Sequence, residues 1–362
     1  MLKASIERID VEGFAALEDE WRALEERAPQ GTPYLTYDWL SAWIDVYQPA
    51  RLALARVQDE MDGDVAFGLL EARRPKRWRF AGQPVSPERG LLCADGTCAD
   101  AWVALGAWLR QHPYTWRMLE AESVHLPAVG LPGVRSRAVA LLTLNLPPSF
   151  DEYLQWTNAK KARKRMRRAE RSSATLREVA GDDRPDALRD FVQLHGLRAA
   201  SKGERHPAVD ERLARMLALV DHGQSVRLRT FDLTVAGERV GVTVRLDHGS
   251  TAYSYNDGLH PAHMSLSPGM LLEFESIRSA IEQGLVRYDL GPGDFPYKRE
   301  LGATAEERHS IEAVSAGVRA RIASGTDATQ RALRYGVRRT LHRLSPGIVI
   351  GGSVAEVLPA AL

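Results

Sequence analysis

Hydrophobic side chains recur along this chain at two spacings, and the order in which those spacings alternate sets the expected architecture. A short alternating run predicts a strand over 4–10, and Phe14, Leu17, Trp21 and Leu24 fall at helical spacing over 14–26. Thr36 or Asp38 is positioned to cap the next predicted helix, whose apolar face is Trp39, Leu40, Trp43 and Val46. Strands are expected over 52–57 and 65–71, a helix over 99–110, and strands over 115–119 and 138–144. Alternation of this kind predicts an α/β (α+β) arrangement.

Pro147-Pro148 interrupts the pattern and marks the expected boundary. Beyond it, helices are predicted over 150–156, 160–171, 185–199 and 208–220. Three strands follow over 226–235, 239–246 and 251–256, with Gly237-Glu238 and His248-Gly249 as hairpin turns. A long helix over 268–283 leads through Gly284 into a strand over 286–290. Gly291-Pro292-Gly293-Asp294 then precedes a short helix over 297–301 and a final strand over 308–314. The chain therefore reads as two tandem domains, 1–147 and 148–315, followed by a helical tail over 316–362. Each domain is expected to hold its own mixed, mainly antiparallel sheet flanked by helices. One continuous sheet across both halves would count against that division.

Composition changes this picture only in places. With 362 residues, 44% hydrophobic and 26% charged, the chain has enough apolar material for two cores. A net charge of +1 excludes a general polycation, so nucleic-acid binding would need a local patch. That patch exists: eight of the twelve residues from Lys160 to Arg171 are basic. It would draw RNA, phosphorylated substrates or anionic lipid head groups, although a solvated helix has the same pattern. No aromatic residue interrupts it, so base stacking is absent there. Cys93 and Cys98 read as reduced thiols, with no second pair to complete a zinc site. His260 and His263 lack a carboxylate or cysteine at metal-binding spacing, so no metal is expected. No basic segment followed by an apolar run opens the chain, and Glu356, Pro346 and Pro359 interrupt the apolar stretch near its end. A cytoplasmic protein without a spanning helix is expected, with at most weak contact to a membrane surface.

Candidate chemistry collects in the second half. Ser267-Pro268-Gly269-Met270-Leu271 opens the long helix, with Ser267 as N-cap and Pro268 at the first helical position. Helix-start amides suit a pyrophosphate, and an ordinary well-capped helix looks the same. Downstream, Asp289, Asp294, Tyr297 and Lys298 lie within ten residues around a glycine turn. Acyl transfer needs a proton acceptor, a proton donor for the leaving group and stabilisation of an oxyanion. Asp289 or Asp294 supplies the first and Tyr297 the second, while Lys298 holds acceptor charge or stabilises the oxyanion. His195 and Arg198, on one helix, and Tyr255 are candidates for the acceptor side.

These residues resemble a known family. Tyr297-Lys298-Arg299-Glu300-Leu301-Gly302 is similar to the segment that GNAT-superfamily enzymes carry before their last strands. The basic helix, Phe191-Val192-Gln193-Leu194-His195, Tyr255-Asn256-Asp257 and Ser267-Pro268-Gly269 resemble the CelD/BcsL-type acetyltransferase domain. The opening, with Trp21, Thr32-Pro33-Tyr34-Leu35 and Asp38-Trp39-Leu40, is similar as well. The resemblance implies two tandem GNAT-like domains, of which the second binds acetyl-coenzyme A or another acyl-coenzyme A and the first shapes the acceptor cleft. A saccharide or small metabolite is the implied acceptor. Fem-type relatives imply an alternative in which aminoacyl-tRNA is the donor. A single glycine, Gly269, replaces the spaced glycines of the usual phosphate loop, which keeps open a non-catalytic binding protein on the same fold.

Overall fold

The computed structural model describes residues 2–29, 31–124, 130–156 and 159–315. Within them, thirteen strands join edge to edge in one sheet. The first half contributes β1 (Lys3–Ile9), β2 (Leu52–Asp59), β3 (Gly63–Arg74), β4 (Arg77–Phe80), β5 (Leu92–Cys93), β6 (Met118–Val124) and β7 (Arg135–Asn145). The second contributes β8 (Ala174–Val179), β9 (Arg227–Val235), β10 (Glu238–His248), β11 (Thr251–Leu259), β12 (Arg287–Pro292) and β13 (Thr304–Val314). Their spatial order is β1-β2-β3-β4-β6-β13-β7-β12-β11-β10-β9-β8, with β5 beside β3. Neighbours run antiparallel except for two pairs, β4 with β6 and β11 with β12.

The mixed, mainly antiparallel sheet flanked by helices holds, but it is one sheet across both halves, which counts against two domains with separate sheets. β13, the last strand among the described residues, inserts between β6 and β7, and β7 inserts between β13 and β12. Each half thus completes its sheet with a strand of the other. An unpaired edge of buried amides and carbonyls is costly, and this exchange removes one from each half. Pro147 and Pro148 lie just past β7, which pairs from Arg135 to Thr143 with β13.

Helices cover the sheet: α1 (Val11–Ala15), α2 (Glu18–Glu26), α3 (Tyr37–Tyr47), α4 (Cys98–Gln111), α5 (Phe150–Trp156), α6 (Ala159–Arg171), α7 (Arg184–Ser201), α8 (Glu211–Asp221), α9 (Pro268–Glu282) and α10 (Pro296–Glu300). The helix expected over 14–26 breaks in two at Ala16 and Leu17, and Asp10 caps the first piece by accepting the Gly13 N–H at 2.8 Å. Thr36, not Asp38, caps α3, its Oγ1 accepting the Trp39 N–H at 3.3 Å. Asp38 instead ties the halves together, Oδ2 accepting the Gln224 and Ser225 N–H groups at 2.7 Å each. Around it one apolar cluster joins Trp21, Trp39 and Trp43 of α2 and α3 to Phe191, Leu217 and Leu246 of the second half. The tail expected over 316–362 lies outside the described residues.

Candidate active site

β11 and β12 are parallel neighbours for only three residue pairs, Thr251–Arg287, Ala252–Tyr288 and Tyr253–Asp289. Past that point they part, and each departs from regular pairing at the split. On β11, Ser254 and Asn256 face Arg245 and Val244, so Tyr255 is the extra residue of a bulge. On β12, Asp289 faces Thr143 and Pro292 faces Leu141, leaving Leu290 and Gly291 unmatched. Bulges re-aim side chains and end pairing, and here two of them open a cleft at the end of a parallel pair.

Asp289 stands at the mouth of that cleft, 3% exposed, with Oδ1 accepting the Gly291 N–H at 2.6 Å. Gly291 can close this turn because its φ is +75°. Burial pushes the Asp289 carboxyl up to about 6, against the opposing pull of the Gly291 N–H and of Arg287, Arg308 and Lys298. Lys298 is 3% exposed and donates to the Gly291 and Pro292 carbonyls, both at 2.9 Å. Burial lowers its ammonium to about 8. Its visible work is to clamp the turn that carries Asp289. Tyr297 on α10 is half exposed, its ring stacked on Phe295. Burial, with the charges of Glu273 and Asp257, raises its phenol. Those carboxylates stand on α9 and β11. Asp294 is placed differently: its carboxylate is exposed and bidentate to Arg299 at 2.9 Å, which lowers its pKa.

At the start of α9, Ser267 does not cap. It takes a left-handed conformation, φ 58° and ψ 53°, and makes no side-chain bond to the helix. The cause is the preceding turn of 3₁₀ helix, Pro261–Leu266, which ends on Ser267 and fixes its backbone. His260 opens that turn, its Nδ1 accepting the Ala262 N–H at 3.3 Å. Gly269 keeps the first helical turn uncovered. A Cβ there would lie 3.1 Å from Leu259 Cδ1 and 3.3 Å from Asp257 Oδ2. An anion approaching Pro268, Gly269, Met270 and Leu271 would therefore meet the Asp257 carboxylate. Burial raises the Asp257 carboxyl, and Arg198 donates to its Oδ1 at 2.8 Å.

His195 and Arg198 converge on this same residue. His195 Nδ1 meets the Asp257 carbonyl and Nε2 meets His206 Nδ1, both at 2.8 Å, and burial lowers the imidazole pKa. Both side chains stand on α7 and meet β11 at Asp257. Tyr255 reaches the first half, its hydroxyl donating to the Val85 carbonyl at 2.9 Å and its ring against Trp39.

Sequence reasoning missed two buried carboxylates. Glu273, on α9, accepts from Ser254 at 2.6 Å and from the Tyr288 hydroxyl at 2.8 Å. Glu88, from a loop of the first half, is 5% exposed and close enough to Asp289 for the two charges to oppose each other. Burial and that repulsion push Glu88 up to about 8. No periodicity marks Glu88; the only local signal is a charge beside proline and glycine in Ser86-Pro87-Glu88-Arg89-Gly90. Among the described residues, no group of three or more His, Cys, Asp or Glu is arranged to hold a metal ion. No described helix is long and apolar enough to cross a membrane.

The succession of strand, two helices, three antiparallel strands, helix and parallel strand, opening where the parallel pair ends, is a GNAT-type arrangement. Residues 160–299 match the Acetyltransf_6 family, described as an acetyltransferase (GNAT) domain, so a GNAT-type acetyltransferase domain occupies this part of the chain. No curated protein matches the sequence. Among solved structures, FemX is similar over 86% of this chain and 97% of its own, at 11% identity and a TM-score of 0.59. The C-terminal domain (DUF2156) of a protein described as a lysylphosphatidylglycerol synthetase, from Agrobacterium fabrum, is similar over 88% of this chain and 97% of its own, at 13% identity and a TM-score of 0.56. L-PGS from Bacillus licheniformis is similar over 87% and 96%, at 12% identity and a TM-score of 0.54. At such identities the likeness is one of fold.

Proposed function

We propose that this chain moves an acyl group from acyl-coenzyme A to a hydroxyl or amine of a small metabolite or saccharide, in the cleft between β11 and β12. The carrying observation is Asp289, a buried carboxylate raised to about 6 at the point where the parallel strands part. A general base works best when its pKa lies near the operating pH. Asp289 accepts the proton of the attacking hydroxyl or amine, Lys298 holds the turn that aims it, and the Tyr297 hydroxyl gives a proton to the leaving group. The backbone of Pro268, Gly269, Met270 and Leu271 would hold the donor, where Gly269 leaves the space a Cβ would fill. When bound there, acyl-coenzyme A supplies an activated thioester. A cytoplasmic donor pool and a CelD/BcsL-type relationship belong to the same proposal.

Asp257 at the start of α9 favours a second reading, because its carboxylate disfavours a pyrophosphate. Aminoacyl-tRNA would then be the donor, with the basic face of α6 against its backbone. Calorimetry with acetyl-coenzyme A and with charged tRNA decides between the two. Failure to bind either would refute acyl transfer at this cleft.

A further inference from the structure

The connection from β5 to α4 forms one wall of a cavity of about 430 Å³ in the first half. That volume falls within the range of small-molecule sites. Cys93, the last residue of β5, and Cys98, the first of α4, both line it, as do Leu92 and Trp102. Both cysteines are free thiols and half buried. Asp95, Gly96 and Ala99 belong to the same wall and are exposed, so the cavity reaches solvent beside the two thiols.

The turn between them is fixed by its backbone. The Ala94 N–H donates to the Val65 carbonyl at 2.9 Å and the Asp95 N–H to the Arg27 carbonyl at 2.8 Å. Gly96 takes a φ of +70° with open space around it, which turns the chain from β5 into α4. Both cysteines pack against the apolar cluster that includes Trp102 and Leu105. Thr97 leaves the helix start without a side-chain cap, its hydroxyl donating instead to the Ala94 carbonyl at 2.7 Å. Uncapped amides at a helix start favour negative charge, and a cysteine placed there is more readily a thiolate. The two thiols hydrogen-bond to each other, and the Trp102 indole is a second partner of Cys98. The contact with Cys93, against burial and with help from the indole, lowers the Cys98 thiol, while the same contact and burial raise Cys93. One sulfur is set to attack, and the other keeps its proton.

We propose that Cys93 and Cys98 form a reversible oxidation site, reached through this cavity, whose co-reactant is a small hydroperoxide. The proposal stands apart from the acyltransferase reading, since neither thiol belongs to the cleft between β11 and β12. The Cys98 thiolate attacks one oxygen of the peroxide and the O–O bond breaks. Cys98 becomes a sulfenic acid, and the other oxygen takes a proton and leaves as water or an alcohol. The Cys93 sulfur then attacks the Cys98 sulfur. The S–S bond forms, the S–O bond breaks, and the hydroxyl leaves as water with the Cys93 proton. Two thiols have passed two electrons to the peroxide, and a dithiol reductant restores them.

The test treats the full reduced chain with a small excess of hydrogen peroxide near pH 7, blocks remaining thiols with iodoacetamide, and weighs the intact protein and its tryptic peptides. The parent is expected to lose two hydrogens and gain no alkyl group. The loss should map to the single peptide that carries both cysteines, and dithiothreitol should reverse it. Oxidation should run at least ~10-fold faster than that of N-acetylcysteine, because a larger share of Cys98 is thiolate. Cys93→Ser should stop at a sulfenic acid on Cys98, trapped by dimedone, and Cys98→Ser should oxidise no faster than N-acetylcysteine. A parent chain that keeps two alkylatable thiols, that bridges to a second chain instead, or whose rate survives in Cys98→Ser would overturn the inference.

Discussion

Replacing Glu88 by glutamine should change how the stability of the ligand-free protein depends on pH. The folded-state pKa of Glu88 is raised from 4.5 to about 8, first by burial and then by the Asp289 charge. A raised carboxyl contributes stability that is fully present below the unfolded value, and that stability is lost as the pH climbs through the folded value. Each pKa unit is worth about 1.4 kcal/mol, so between about pH 5 and about pH 8 the parent protein should lose about 3 kcal/mol from this group. Asp289, raised from 3.8 to about 6, titrates with Glu88 as a pair and adds to the slope at its acid end. Glutamine cannot ionise, and removing the neighbouring charge eases the ionisation of Asp289. The variant should therefore be less stable than the parent near pH 5, where a neutral carboxyl already suits the site. It should match or exceed the parent near pH 8. Urea unfolding at several pH values, with the slope of each transition checked for constancy, measures the difference directly. Parallel stability profiles for the two proteins would refute the reasoning, since they would mean that Glu88 ionises as easily in the fold as in the unfolded chain.

Other perturbations give separable outcomes. Asp289→Asn should preserve donor affinity and the fold while lowering turnover by about two to four orders of magnitude, the usual span for loss of a general base. Lys298→Ala removes two hydrogen bonds that hold the glycine turn; it should cost about 2 kcal/mol in unfolding experiments, and an unchanged melting temperature would show that the turn holds without it. Gly269→Val should weaken acetyl-coenzyme A binding, and Gly269→Ala less so, because the added carbon presses on Leu259 and Asp257; equal affinities in calorimetry would move the donor elsewhere. Exchanging Lys164, Arg167 and Arg168 for glutamine should flatten the salt dependence of substrate capture. Arg165 is left out of that set because, with Lys161, it pairs with Glu300 and so anchors α10.

The second half was legible because its elements announce themselves locally. β9, β10 and β11 alternate strictly enough, and their turns are chemically distinct enough, that the observed strands begin and end within a few residues of expectation. α5 runs over the predicted residues, and Thr36 was among the two caps proposed for α3. Short strands with charges on them were not legible: Arg77–Phe80 carries two arginines in four residues, and Ala174–Val179 alternates exposed and half-buried positions until the buried Val179. Both owe their conformation to a neighbouring strand. Ser267 shows the opposite failure, since a good capping residue was overruled by the turn that ends on it. Glu88 lay beyond local reading altogether. Its neighbour Asp289 is about two hundred residues further along the chain, on a strand of the second half, and only the tertiary fold brings the two near each other.

The exchange of strands also constrains how the protein is made. As the chain leaves the ribosome, residues 1–147 emerge with β6 and β7 unable to reach their final places, because the strand that separates them, Thr304–Val314, has yet to be synthesised. For that interval two long strands present bare edges, the kind of surface on which partly made chains stick to one another. The last strand described is thus the closing stitch of the first half as well as of the second. A ribosome that stalled before Thr304 would leave two unfinished sheets rather than one finished domain.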